Sequence, residues 1–167
     1  TNIYTKKFDF AFLNGTNPRG SLIEASDGKL YGMTSLGGSA NYGILFQYDY
    51  VNNIFSKKID LTDSTGTLPE GALFEASDGK LYGMTTFGGT YDEGAIFQYD
   101  VSNGTLIKKI DLNSTIGAFP KGEFIETSPG YLFGLTYGGG ANSCGTIIQY
   151  DIANNIIIPE DFISATD

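Results

Sequence analysis

Apolar and β-branched runs of five to eight residues alternate along this chain with clusters of Gly, Asn, Asp and Ser. No stretch sustains the i, i+3, i+4, i+7 spacing of an amphipathic helix, so the pattern predicts an all-β chain. The pattern also recurs. GSLIEASDGKLYGMTSLGG starts at Gly20, GALFEASDGKLYGMTTFGG at Gly71 and GEFIETSPGYLFGLTYGGG at Gly122, a gap-free period of 51 residues. A period of this length fixes the kind of architecture, because each unit of a repeat protein buries its apolar faces against its neighbours.

Within the first unit the alternation predicts strand A at residues 20–25, strand B at 29–34, strand C at 44–49 and strand D at 54–61. Ser26-Asp27-Gly28 closes a tight A–B hairpin, since Gly supplies positive φ and Asp can bond its own turn. A longer B–C loop opens on Gly37-Gly38, and Asn52-Asn53 marks a short C–D turn. Four antiparallel strands joined this way describe β-propeller blades, three per chain, at about residues 18–61, 69–112 and 120–158 of a single repeat domain, with a tail at 159–167. Gly32, Gly83 and Gly134, mid-strand in B, predict close backbone approach between neighbouring blades.

TNIYTKKFDF at residues 1–10 matches the D segment NNIFSKKIDL and forms an orphan strand D. Pro159 and Glu160 replace the Lys57-Lys58 pair of the first D strand, and proline cannot donate to a ladder, so the N-terminal strand is expected to complete blade three as a clasp. Three blades do not close a ring. A homodimer forming a six-bladed ring, or neighbouring blades of a longer chain, would close it.

Nineteen acidic residues against ten basic ones give a net charge of -9, which opposes nucleic acid and anionic lipid as partners. The chain has no histidine and a single cysteine, Cys144, which removes imidazole triads, an internal disulfide and a Cys/His zinc cluster. No cofactor or metal is expected. No run approaches the ~18 apolar residues of a membrane helix, so membrane insertion is not expected either. The missing initiator methionine suggests a mature or excised segment.

The phrases SLIEASDGKLYGMTSLGG and ALFEASDGKLYGMTTFGG, followed by YGILFQYD and EGAIFQYD, resemble the GloVer tandem repeat over about residues 16–152. That resemblance implies a propeller-like fold and a secreted or cell-surface location in a bacterium, usually within a larger protein. It implies no chemistry. The third copy departs from the pattern at Pro129 and Phe133.

Three sets of residues are candidates for function. Glu24, Glu75 and Glu126 recur in strand A, nearest a propeller axis, where they would line a channel or bond the adjacent blade, with Thr34, Thr85 and Thr136 as expected partners. The repeated Gln-Tyr-Asp at Gln47, Gln98 and Gln149, and the Lys57-Lys58/Asp60 type of edge, read as scaffold. The loops that vary are the better binding candidates. They carry Asn41, Tyr42, Tyr91, Asp92, Glu93 and Asn142 in B–C, and Arg19, Glu70 and Lys121 before strand A.

The expected function is a noncatalytic binding or scaffold module presenting the face formed by B–C and D–A loops to a protein partner. A lectin with blade-repeated glycan sites is the alternative. An enzyme using the channel carboxylates is the weakest reading, because identical copies give no acid and base of unlike environment.

Overall fold

The computed structural model describes residues 3–161. Its strands form three successive antiparallel sheets, each a four-stranded meander. Sheet one is β1 (Ile23–Glu24), β2 (Leu30–Thr34), β3 (Ile44–Asp49) and β4 (Ile54–Asp60). Sheet two is β5 (Phe74–Glu75), β6 (Leu81–Thr85), β7 (Ala95–Asp100) and β8 (Thr105–Asp111). Sheet three is β10 (Ile125–Ser128), β11 (Tyr131–Gly138), β12 (Thr146–Asp151) and β13 (Ile156–Asp161), with β9 (Ala118–Pro120) paired to the far end of β11. A short 3-10 turn at Phe12–Asn14 precedes sheet one.

Two expectations are corrected here. The fourth strand of sheet three is β13, supplied by the chain's own C-terminal segment, while residues 3–11 form no strand. Pro159 sits opposite Ile148 in that outermost strand, and an edge strand is where a ladder tolerates proline. In β4 and β8 the register slips by one residue, bulging out Lys58 and Lys109, whereas β13 runs without a slip. Residues 1–2 of the orphan strand and 162–167 of the tail lie outside the described residues.

The second correction concerns the mid-strand glycines. A Cβ on Gly83 would lie 2.5 Å from the Phe97 ring and 3.0 Å from Leu73, both in its own sheet. Gly32 and Gly83 make room for the Phe46 and Phe97 rings of strand C, whereas a Cβ on Gly134 would meet Met84 of sheet two first, at 3.0 Å. Backbone approach between sheets occurs instead at Gly71, where a Cβ would stand 2.6 Å from the carbonyl carbon of Gly122.

Side chains alternate between the two faces of a strand, and each sheet uses the two faces differently. Ala25, Tyr31, Met33 and Leu45 of sheet one pack on Leu73, Leu81, Phe97 and Tyr99 of sheet two. One period later, Ala76, Tyr82, Met84 and Ile96 of sheet two pack on Phe124, Leu132, Ile148 and Tyr150 of sheet three. The core is therefore two copies of one inter-sheet interface, which is how a repeat protein acquires a core.

Candidate functional site

Most of the repeated polar groups are consumed by the scaffold. Asp27 accepts from the Lys29 backbone N–H and the Tyr31 hydroxyl (2.8 Å), and Gln47 Nε2 donates to Tyr31 Oη at 2.6 Å. Asp78, Tyr82 and Gln98 repeat the arrangement. Burial first, and then the Asp27 carboxylate, push the Tyr31 hydroxyl pKa upward. In unit three the aspartate and the tyrosine are both gone, as Pro129 and Phe133, so neither partner is left without the other.

Asp49 caps the C–D turn through the Val51 and Asn52 backbone N–H groups and pairs with Lys29 at 2.7 Å. Lys29, followed by Asn52, holds that carboxyl well below the usual carboxylate range. At the outer edge Lys57 pairs with Asp60 and Lys108 with Asp111.

The recurring glutamates link one unit to the next. Glu75 accepts from the Ser26 backbone N–H at 2.9 Å, and Glu126 accepts from the Ser77 N–H (2.8 Å) and hydroxyl (2.7 Å). The partner is thus the preceding A–B turn; Thr34 and Thr136 instead donate to backbone carbonyls of their own loops. Glu24 accepts instead from the Tyr50 hydroxyl, at 3.0 Å.

The loop face is built where a B–C loop meets the next D–A connection. The N–H of Leu68 bonds the Tyr42 carbonyl, and that of Phe119 bonds the Glu93 carbonyl. These donors have φ of 52° and 55°, left-handed values that bulky residues seldom adopt; Asn17 occupies the same place in unit one more comfortably. Asn41 and Asp92 turn inward as loop braces, accepting from the Gly37 and Gly88 N–H groups. The Asn142 carbonyl accepts from the Cys144 thiol. Arg19, Glu70 and Lys121 come together as one ion cluster, with Glu70 2.8 Å from Arg19 and 3.4 Å from Lys121. Lys121 also lies over the Tyr137 ring, 5.2 Å from its centroid.

Between units two and three the loops enclose a cleft of about 620 Å³, lined by Glu93, Ser114, Phe119, Tyr137, Ser143 and Cys144 among others. Phe119 touches Phe87 across its rim, ring centroids 5.3 Å apart, and Tyr137 and the nearby Tyr91 are exposed. Glu93 Oε2 is buried there without a hydrogen-bond partner. An acceptor so placed has no donor from the protein, and such a group needs one. Of the loop residues singled out by sequence, the cleft uses Glu93; Tyr42, its equivalent, lies at the junction of units one and two. Phe119 and Tyr137 were missed, since only the pairing of β9 with the far end of β11 brings them to the cleft. Among the described residues no group of three or more Cys, Asp or Glu could hold a metal, and no helix is long and apolar enough to cross a membrane.

Three meander sheets joined face to face by a 51-residue period define an all-β tandem-repeat protein with propeller-like sheets. The chain belongs to the Gloeobacter/Verrucomicrobia repeat family, which matches residues 1–166 and agrees with the GloVer resemblance. It is similar in structure to TolB from Acinetobacter baumannii (TM-score 0.56, 20% identity, 92% of this chain and 33% of that one). A putative 6-phosphogluconolactonase from Bacteroides fragilis is also similar (TM-score 0.52, 18% identity, 83% of this chain and 38% of that one). The chain spans 33% and 38% of these two structures, and at such identities the likeness concerns the fold alone. A search of curated proteins finds no match.

Proposed function

We propose that the three sheets are propeller blades and that the chain is a noncatalytic binding module of a bacterial secreted or surface protein, presenting its loop face to a protein partner. The observation that carries this reading is the unpartnered Glu93 Oε2 in a cleft walled by Phe119 and Tyr137. A buried acceptor beside aromatic rings suits a peptide segment that contributes one N–H donor and one apolar side chain. The repeated carboxylates favour a noncatalytic role, because Glu75 and Glu126 spend their oxygens on turns of the preceding unit.

The aromatic and acidic lining also suits sugar hydroxyls, so a glycan ligand is the second reading. The test is a paired screen of wild type and Tyr137→Ala on a glycan array and against proteins from the source cell surface. Tyr137 is 73% exposed, so its loss spares the fold. A protein ligand lost by Tyr137→Ala and by Glu93→Gln supports the module, and glycan hits lost by the same variants replace it with a lectin. Binding indifferent to both substitutions removes the cleft from the account.

A further inference from the structure

The chain ends in two unlike apolar faces, and each is one half of the interface that joins its own sheets. Leu22, Leu73 and Phe124 occupy the same place in successive units, yet they are 51%, 1% and 1% exposed. Met33, Met84 and Leu135, on the opposite face, are 4%, 2% and 54% exposed. Among the described residues, the outward side of sheet one and the outward side of sheet three are open at these positions.

The open side of sheet one is a groove of about 430 Å³ lined by Leu22, Leu30, Gly32 and Phe46, the equivalents of Leu73, Leu81, Gly83 and Phe97. The open side of sheet three offers Ile125, Phe133, Leu135 and Ile147, the equivalents of Ile23, Tyr31, Met33 and Leu45. Inside the chain these two sets meet: a Cβ on Gly134 would stand 3.0 Å from Met84 and 3.1 Å from Phe124. Where the buried copies have Tyr31 and Tyr82, the open face has Phe133, which needs no hydrogen-bond partner once covered.

The N-terminal segment completes the case. Phe8 and Phe10 align with Ile59 and Leu61 of strand D, and they lie on sheet one, with Phe8 stacked on Phe55 at 3.8 Å and Phe10 edge-on to Phe46 at 5.2 Å. They fill the outer part of the groove as the D strand of a preceding unit would. In β13 the register position of Ile59 and Ile110, opposite Ile147, falls to Glu160, so sheet three lacks the apolar residue the segment provides. Among the described residues the polar link is made twice, Glu75 to Ser26 and Glu126 to Ser77, while Glu24 meets Tyr50 rather than a turn of another unit.

We propose that a second copy of this chain seats head-to-tail, the open side of its sheet three on the open side of sheet one. Ser128 N–H then bonds Glu24 as Ser26 N–H bonds Glu75, and the reciprocal contact closes six sheets. The occupant is this chain because the groove is shaped for one surface, the next repeat of the same unit, and this chain presents that surface uncovered. Heterologous faces of this kind close only if the rotation per sheet returns on itself, which two copies of three sheets allow.

Light scattering after size exclusion tests this. The full chain is expected at twice its 17.9 kDa mass. Leu22→Lys and Leu135→Asp, both at positions half exposed in the single chain, are each expected at the single mass with unchanged circular dichroism. Mixing the two variants is expected to restore the double mass, since a mixed pair has one native interface and one with Lys facing Asp. A wild-type monomer, a dimer that survives both substitutions, or a mixture that stays monomeric would each overturn the proposal. None of these outcomes bears on the loop-face cleft, whose ligand is read separately.

Discussion

The closest contact between sheets can be tested at three equivalent glycines. A Cβ on Gly71 would stand 2.6 Å from the carbonyl carbon of Gly122 and nearer still to its oxygen. A Cβ on Gly20 would meet Gly71 and Ala72 in the same way, while one on Gly122 would find nothing within 4 Å. The obstacle at Gly71 is backbone held in the next sheet, which cannot rotate aside as a side chain can. The cost of Gly71→Ala is then at the upper end for overpacking, about 3 kcal/mol. For a chain of this size that lowers the unfolding temperature by about 6–12 °C. Gly122→Ala is expected to stay within about 0.5 kcal/mol of the parent, as an ordinary surface change. Both are measured by thermal and urea unfolding followed by far-UV circular dichroism, on the Leu135→Asp background so that end-to-end association does not enter. Equal stability of the two variants would refute the close approach.

Acid should destabilise the fold. Asp49, Asp100 and Asp151 have folded pKa values below their ordinary ones, held down first by the bonds from Lys29, Lys80 and Asn154 respectively. The native state therefore binds fewer protons, and the stabilisation present above about pH 4 is lost as the pH falls through the lower folded values. The urea midpoint should drop between about pH 6 and about pH 3, and a flat or rising midpoint contradicts the pairing. Glu75→Gln, which weakens a charge-assisted bond to the Ser26 N–H, is expected to cost about 1–2 kcal/mol in urea unfolding. Glu24→Gln should leave the midpoint of the Leu135→Asp background unchanged, since among the described residues Glu24 bonds only the exposed Tyr50 hydroxyl. Asp27→Ala and Tyr31→Phe should be less than additive by about 1 kcal/mol in a double-mutant cycle, because each removes the same hydrogen bond. Full additivity would show that the bond contributes nothing.

Where a strand has its own alternation and turn chemistry, the sequence was enough to place it. Strand C was expected at 44–49 and stands at Ile44–Asp49; strand D was expected to start at residue 54 and does. Strand A shrank from six expected residues to two, Ile23–Glu24, and Gly20 ahead of it lies against the backbone of Gly71 rather than in a ladder. The outer strand of sheet three was hidden by Pro159, whose prohibition applies to paired interiors and lapses at an edge. The glutamates were visible as a repeat, but their partners were not. Ser26 and Glu75 are 49 positions apart, and only the packing of one sheet on the next brings them together. The cleft was half legible for the same reason: Glu93 stood out in a variable loop, whereas Phe119 and Tyr137 acquire a role only from where the chain turns.

The Glu75-to-Ser26 link is followed by an identical link from Glu126 to Ser77, and Gly71 is to Gly122 what Gly20 is to Gly71. Excising residues 71–121 would splice Glu70 directly to Gly122, as Glu70 now meets Gly71, and offer Glu126 to the Ser26 turn in place of Glu75. A chain with one copy more or fewer would meet the same kinds of contact at each junction, because the two internal interfaces use equivalent positions. Its natural increment of variation is one sheet, and its length is a quantity that selection can tune in steps.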